Sequence, residues 1–447
     1  MTNYQSVANL SIANRCGAVL SKRWHHASIW IGRVTRPLRR YPVSRASLGG
    51  WRTIRSREIA WGAALNALST ITVISTTAVG ERAAADAIAS QLPSQGGYTS
   101  LFCSSQYDLD RLGKAFRRAS NDRVIAAATS RAFGPDGILT HGITGFHLPT
   151  NRFRVVDTLI ENVAQFGFGD ARQLVQSLLR RLPRRVEPVW PHRFAMLLVD
   201  AESKCEERLV AALGNELGGI PLVGGSTGDL YFNPLGQSPT AARVLLQDRA
   251  VRGGAVLSIV ASKDPVLALC HHHYVPGNHR LVVTDADPDR RIVREFDGRS
   301  ALEVYANACG FRRKPKDVAH FSSYPLMVKV GGQYFVRGVQ RILDDGALEL
   351  ACAIEPGLIV TVAQPTNILD RLAKSLGTIQ AALMTVEVII GFDCATRTAY
   401  MEQHGLSDAV SSLFRNHRVV GFSTLGEQFN TMHMNNSFTC LGVAARN

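Results

Sequence analysis

Short apolar runs alternate with longer amphipathic segments along most of this chain, and this alternation limits the fold more than any other feature. Residues 71–75 and 124–129 are strand-length and rich in β-branched or small apolar side chains. Residues 81–92 are Ala-rich, and residues 107–120 repeat Leu and Phe at helical spacing behind Asp108, a candidate N-cap. The order strand, helix, strand predicts an α/β fold with mixed β-sheets flanked by helices.

The same pattern continues to the C-terminal end. Further strands are predicted at 194–199, 221–223, 242–246, 255–260, 326–330, 334–340, 348–354, 359–362, 386–392, 419–422 and 438–443. Further helices are predicted at 153–182, with a break at 167–169, and at 202–217, 301–308, 368–384 and 406–414. Because 447 residues exceed what one hydrophobic core usually supports, we expect two α/β domains, at 67–284 and 285–447.

The positive charge of the chain is concentrated at its N-terminal end. The formal net charge is +14, but residues 1–57 contain eleven Lys and Arg and no acidic residue, which leaves +3 for the remainder. A nearly balanced body argues against a dedicated nucleic-acid-binding protein. We expect residues 1–66 to be a basic tail that is disordered, a targeting or anion-binding arm, or the product of a start assigned too far upstream.

Apolar runs and cysteines limit the cellular context. No run reaches the ~18 apolar residues that a membrane-spanning helix requires, so we expect a soluble, cytoplasmic protein without a membrane span. The eight cysteines are scattered and none forms a Cys-x-x-Cys motif. Neither a structural zinc site nor a disulfide framework is therefore predicted.

A glycine-rich segment follows the strand predicted at 221–223. Gly224, Gly225 and Ser226 begin it, and Gly228 ends it. Such a segment lets backbone N–H groups approach an anion, as phosphate-binding loops do. No Lys-Ser/Thr pair follows, and Asp229 would repel a phosphate. A tight turn beside a small-molecule pocket is therefore favoured over a nucleotide site.

Three consecutive histidines, His271, His272 and His273, follow Cys270. In a strand, His271 and His273 would share one face and His272 would lie on the other. Neutral imidazole binds transition metals and haem iron, but adjacent histidines have no metal-binding spacing of their own. The alternative is that these side chains only pack in a half-exposed strand.

Polar side chains also follow two of the C-terminal strands. Asp393 and Arg397 come after the strand at 386–392, where ligands bind in open α/β sheets, and Arg397 could hold a carboxylate or phosphate. Alternatively, Arg397 pairs with Asp393 or Glu402. The segment 421–436 is dense in polar residues, and local turn and cap roles are the alternative to a pocket. Its candidate ligand contacts are Ser423, Thr424, Glu427, His433 and Asn435.

An enzymatic alternative rests on residue types alone. Cys394, His433 and either Asp393 or Glu427 could serve as nucleophile, base and orienting group of a hydrolase. No nucleophile-elbow motif surrounds them. We therefore expect a protein that is not an enzyme, with a Cys-dependent hydrolase as the minority alternative.

Several of these motifs together resemble a known family. The segment 221–229 resembles the signature loop of FIST N domains, and 419–428 with 432–439 resembles the FIST C signature. Landmarks between them, at 272–276, 280–284 and 393–397, resemble the family in the same order. The likeness covers about residues 70–445, although Ala395 and Thr396 replace the bulkier apolar residues usual there, which puts the shape of the pocket in doubt.

The resemblance implies a sensory function. FIST proteins are bacterial and archaeal sensory proteins, so the chain is expected to bind a small molecule and to act through a partner. One branch senses nitric oxide with haem and acts on a histidine kinase or a cyclic-di-GMP enzyme. Similarity to that branch implies an axial ligand among His272, His273 and His433. The alternative within the family is a sensor of a soluble metabolite, such as an amino acid or carboxylate held by Arg397.

Overall fold

The structure is a computed structural model that describes residues 70–94, 96–182, 190–228, 244–313, 315 and 318–446. One compact unit comprises Asn66–Val328 and Tyr334–Asn447. The prediction of a basic tail at residues 1–66 lies outside the described residues. No helix in the described ranges is long and apolar enough to cross a membrane.

Strands and helices alternate through the described chain. The first part contains β1 Thr72–Thr76, α1 Glu81–Ala89, β2 Gly97–Ser104, α2 Leu109–Ala119, β3 Arg123–Thr129, β4 Ala132–Gly134, β5 Gly137–Leu139, β6 Ile143–Pro149, β7 Phe153–Ile160, α3 Phe168–Arg181, β8 His192–Asp200, α4 Glu206–Glu216, β9 Leu222–Thr227, β10 Val244–Leu246, β11 Arg249–Val251, β12 Ala255–Ser262, β13 Val266–His271 and β14 Tyr274–Asp287. The second part contains β15 Ile292–Phe296, β16 Arg299–Ser300, α5 Ala301–Ala308, β17 Leu326–Val330, β18 Gln333–Arg337, β19 Val339–Ile342, β20 Leu348–Leu350, β21 Ile359–Pro365, α6 Ile368–Leu383, β22 Val386–Cys394, α7 Ala395–Gln403, α8 Ser407–Asn416, β23 Val419–Thr424, β24 Glu427–Phe429, β25 Met432–Met434 and β26 Phe438–Ala444. The predicted α/β fold with mixed sheets is confirmed.

The described strands form four sheets, and two of these sheets combine strands from distant parts of the chain. Their orders are β1-β6-β2-β3-β10-β11, β25-β24-β9-β8-β12-β7, β13-β26-β22-β23-β4-β5 and β18-β17-β21-β14-β15-β20-β19, with β16 paired to β15. The C-terminal hairpin β24-β25 extends the second sheet through β9, and the N-terminal hairpin β4-β5 extends the third sheet through β23. The two halves of the chain therefore exchange hairpins.

A hydrophobic core joins the first three sheets. It contains Phe102 of β2, Met196 of β8, Phe392 of β22 and Phe422 of β23, all fully or almost fully buried. The rings of Phe102 and Phe422 have their centroids 4.9 Å apart. This core therefore includes side chains from both halves of the sequence.

Local sequence signals explain several element ends. The predicted N-cap Asp108 accepts hydrogen bonds from the backbone N–H groups of Asp110 and Arg111, which begins α2. Gly218 and Gly219 follow α4 with φ of 61° and 98°, as expected of a glycine helix stop.

One long helix prediction is wrong in its first part. Phe153–Ile160, predicted as the start of a helix over 153–182, is strand β7, and α3 begins only at Phe168. All eight residues of β7 pair antiparallel with β12, from Phe153 opposite Ser262 to Ile160 opposite Ala255. The β-branched Val155, Val156 and Thr158 favour an extended backbone, and pairing with β12 outweighs the helical spacing of the apolar residues.

Candidate functional site

The glycine-rich segment is not the predicted tight turn up to Thr227, because Gly224, Gly225 and Ser226 lie within strand β9. A Cβ at Gly224 would lie 2.0 Å from the backbone oxygen of Leu197, and one at Gly225 would lie 2.3 Å from Cγ2 of Thr424. Only glycine allows the neighbouring strand and side chain to approach so closely. Close packing, rather than reversal of the chain, explains these two glycines.

The two sequence segments that resemble family signatures lie side by side. Gly225 is opposite Glu427, and Gly224 is opposite Gln428, in the β9-β24 ladder. The backbone N–H of Ser226 donates to the carbonyl oxygen of Gly426 at 2.8 Å. Residues separated by two hundred positions in sequence therefore form one local structure.

Arg397 lies at the centre of the first group of polar side chains. It is fully buried in the first turn of α7, where its Nε donates to Oδ1 of Asp393 at 2.6 Å. Its Nη1 donates to Nδ1 of His273 at 3.1 Å. Burial raises the pKa of Asp393, while Arg397 opposes that shift. Of the two alternative partners, Asp393 is the one that pairs with Arg397, since Glu402 pairs with Arg131.

Glu427 forms the second group with the residues that follow β23 and precede β26. Oε2 of its carboxyl group accepts hydrogen bonds from the backbone N–H and the hydroxyl of Ser437, at 3.1 and 2.5 Å, and Oε1 is hydrogen-bonded to the hydroxyl of Thr424. The pKa of Glu427 rises to about 8, because burial and the nearby Asp393 outweigh the opposite effect of these hydrogen bonds. At neutral pH the carboxyl group is therefore mainly protonated, which avoids a second negative charge beside Asp393.

A third group runs from β24 to α4. The amide Nε2 of Gln428 donates to Oγ of Ser226 at 2.9 Å and lies 3.4 Å from Nδ1 of His433. Ser226 Oγ donates to Oε1 of Glu206 at 3.3 Å, and Nη2 of Arg291 donates to Oε2 of Glu206 at 2.5 Å. Gln428 is thus connected through Ser226 to the buried ion pair between Glu206 of α4 and Arg291.

Many buried polar atoms in these groups have no hydrogen-bond partner in the described part of the chain. They are Asp393 Oδ2, Arg397 Nη2, His273 Nε2, Gln428 Oε1, His433 Nε2, Asn436 Nδ2 and both amide atoms of Asn435. Buried polar atoms in native proteins are almost always bonded, and each one left without a partner costs about 1–3 kcal/mol. We refer to His273, Asp393, Arg397, Glu427, Gln428, His433, Asn435 and Asn436 as the buried polar cluster.

Most of the predicted site residues lie in or next to this cluster. Ser423 is buried, with its Oγ 3.1 Å from the hydroxyl of Thr398, and Thr424 bonds Glu427. His272 is less buried and lies in the connection between β13 and β14. Because β13 ends at His271, the predicted alternation of the three histidines does not extend to His273. The ring of His271 packs instead against Phe438, with centroids 5.5 Å apart.

Four contributors were not singled out from the sequence. Gln428 and Asn436 belong to the segment that resembles the family signature, so the motif itself was their only signal. Glu206 lies in the helix predicted over 202–217, and it is 1% exposed. Arg291 lies among several charged residues, but it is buried with a left-handed φ of 60° and bonds Glu206 and Glu207.

The three candidate haem ligands have their ring nitrogens occupied or obstructed. Nδ1 of His273 accepts from Arg397, a group that can only donate, so the ring proton is on Nε2 and no lone pair is available there. His272 accepts from the backbone N–H of Tyr274 at Nδ1, and its Nε2 lies 3.4 Å from the Tyr334 oxygen. These two rings therefore do not fit axial ligation of haem.

His433 is obstructed differently. A Cβ at Gly426 would lie 2.3 Å from Cε1 and 2.7 Å from Nε2 of the His433 ring, so Nε2 lies against the Gly426 backbone. A porphyrin on Nε2 would require this contact to open. No group of three or more metal-ligating side chains occurs among the described residues. The haem expectation remains a prediction that an absorption spectrum tests.

Cys394 does not have the environment of a catalytic nucleophile. The thiol is 3% exposed and lies 3.8 Å from Oδ1 of Asn436, and its bond is to this amide rather than to His433. Burial raises the pKa of the Cys394 thiol, so the reactive thiolate is disfavoured. The residue types of a hydrolase are present, but their arrangement is not that of an activated nucleophile.

Comparison with family models gives the family of the chain. The chain has an α/β fold in which two halves exchange hairpins beside the buried polar cluster. The FIST N domain model matches residues 98–299 and the FIST C domain model matches residues 301–430, so the chain belongs to the FIST domain proteins. Domains of this family are associated with small-ligand sensing in signalling proteins and are sensory rather than catalytic. A search among curated proteins finds no match.

Proposed function

We propose that this chain senses a small soluble metabolite that binds at the buried polar cluster. Membership of the FIST family supports the sensory role. The location rests on one observation, the concentration of buried polar atoms without partners around Asp393, Arg397 and Asn435. Folding alone gains nothing from such atoms, whereas a polar ligand would satisfy them.

Donors outnumber acceptors among these atoms, and this favours a ligand with acceptor oxygens. Arg397 Nη2, His273 Nε2 and Asn436 Nδ2 are donors. His273 is neutral because burial and then the nearby Arg397 lower its pKa to about 2. Asp393 Oδ2 is an acceptor, and its charge is balanced by Arg397. A carboxylate that also carries an amino or hydroxyl group has the complementary chemistry.

The position of the cluster supports a signalling role for the bound molecule. Glu427 and Gln428 lie on β24 of the second sheet, whereas Asp393 ends β22 of the third sheet. His273 lies between β13 of the third sheet and β14 of the fourth sheet. A ligand that bonds all of these groups favours one arrangement of three sheets over others. A partner, such as a histidine kinase or a cyclic-di-GMP enzyme, then reads the change in population.

A thermal-shift screen of the full chain with common amino acids and short mono- and dicarboxylates tests this function. A ligand at 100 times its Kd stabilises the folded state by about 2.7 kcal/mol, which is easily detected. We expect at least one compound to raise the apparent Tm in a concentration-dependent manner, and to do so less in Asn435→Leu than in the control Asn307→Leu, which changes an exposed amide on α5. A screen without any shift, or equal shifts in both variants, contradicts the proposal.

A further inference from the structure

We propose a second ligand site at the N-terminal end of β3, away from the buried polar cluster. A cavity of about 240 Å³ there binds a small aliphatic amine. The cavity lies between the C-terminal ends of α1 and α2, and Asp122, the residue before β3, contributes to its wall. The other end of β3, at Thr129, bonds the carbonyl oxygen of Ser423 beside the buried polar cluster. The two sites are therefore separate, and this proposal does not depend on the function proposed above.

The Asp122 carboxylate is held in place through only one of its oxygens. Oδ2 accepts hydrogen bonds from Oγ1 of Thr99 at 2.5 Å and from Nδ1 of His147 at 2.7 Å. The backbone N–H of Asp122 donates to Oγ of Ser120 at 3.1 Å. Three neighbours therefore fix the position of this residue, which is 6% exposed.

The other oxygen, Oδ1, has no hydrogen-bond partner within the described residues. Asp122 and Gly96 both line the cavity, and a Cβ built on Gly96 would lie 3.8 Å from this oxygen, which places Oδ1 near the cavity wall. A carboxylate oxygen can only accept hydrogen bonds, and leaving one buried without a donor is unfavourable. The missing partner is therefore a donor, and an ammonium group supplies three.

The surroundings favour a cation with a short apolar stem. Ala89 and Ala119 are the last residues of α1 and α2, and helix C-terminal ends carry partial negative charge. Leu92 and Pro93 line the wall and can contact an alkyl chain. Arg118 also lines the cavity, but its side chain is exposed and can turn toward solvent. The Asp122 carboxylate is held in place by its hydrogen bonds to Thr99 and His147.

Isothermal calorimetry of the full chain with ethanolamine and n-propylamine tests this site, with tetramethylammonium as a cation that has no N–H donor. We expect both amines to bind and tetramethylammonium to bind at least tenfold more weakly. In Asp122→Asn, the amide oxygen can still accept from Thr99 and His147, while its NH₂ replaces the free acceptor. We expect this variant to lose at least tenfold in amine affinity.

A second variant keeps the proposal testable if Asp122→Asn does not fold. Ala119→Leu adds volume to the cavity wall without changing the carboxylate, and it should also lose amine binding. The control Asp110→Asn removes an exposed carboxylate of α2 that pairs with Lys114 outside the cavity, and it should bind as the unchanged protein does. Absence of amine binding, equal binding of tetramethylammonium, or full binding by a folded Asp122→Asn or Ala119→Leu protein would overturn the proposal.

Discussion

Replacement of Asn435 by leucine should make the ligand-free protein more stable. Asn435 is 1% exposed, and neither atom of its side-chain amide has a hydrogen-bond partner in the described chain. Leucine has the same branched shape and number of heavy atoms, is somewhat larger, and has no polar atoms. Because each unsatisfied buried atom costs about 1–3 kcal/mol, we expect a gain of about 2 kcal/mol in the free energy of unfolding after some loss to imperfect packing.

Urea denaturation followed by circular dichroism, together with the apparent Tm, measures this change. In a chain of this length, a gain of about 2 kcal/mol corresponds to an increase of a few degrees in apparent Tm. The control Asn307→Leu replaces an exposed amide and should change stability by no more than about 0.5 kcal/mol. If Asn435→Leu instead lowers stability by more than about 1 kcal/mol, the amide has a structural role and the reasoning from its unsatisfied atoms is refuted.

Three further predictions concern the same region. Because burial raises the pKa of Glu427 to about 8, the stability that its bound proton contributes is fully present below the unfolded pKa of 4.5 and is lost as pH rises from there through about 8. The apparent Tm should therefore fall as pH rises from 6.5 to about 8, and Glu427→Gln should flatten this fall. Cys394 should resist iodoacetamide in the native protein, as measured by mass spectrometry, because its thiol is buried and protonated. Gly426→Ala should destabilise the fold by about 1–3 kcal/mol through its contact with the His433 ring, and His433→Ala should recover part of that loss in a double-mutant cycle.

Each of these predictions has a result that contradicts it. An equal pH dependence in Glu427→Gln would assign the loss of stability to other groups. Rapid alkylation of Cys394 would reopen the hydrolase alternative. Additive effects of Gly426→Ala and His433→Ala would mean that the two residues do not interact. A Soret band in protein from haem-supplemented cells would mean that the histidines rearrange to bind haem.

Local patterns in the sequence predict most of the elements. The helix over residues 301–308 and the strand over 326–330 agree with the observed bounds, because Ala301–Ala308 and Leu326–Val330 have clear periodicity and clear flanking residues. Phe153–Ile160 differs because its apolar residues fit both helical and extended spacing. Only its pairing with β12, a hundred residues later in sequence, decides between the two.

The arrangement of the candidate site could be predicted only in part. The polar segments could be predicted because they follow apolar strands. Asp393 and Arg397 lie together because both are near the end of β22 and are one helical turn apart. The exchange of hairpins could not be predicted from local sequence patterns, because the pairing of Gly225 with Glu427 joins residues two hundred positions apart. For the same reason nothing predicted that Arg291 would be buried against Glu206.

The central claim is that the buried polar cluster binds a small ligand, and one calorimetric comparison tests it most directly. The carboxylate that gives the largest thermal shift is titrated into the full-length protein and into Asn435→Leu. The cluster predicts at least a tenfold weaker Kd in the variant, about 1.4 kcal/mol, although the variant is the more stable protein without ligand. Equal dissociation constants in the two proteins would contradict it.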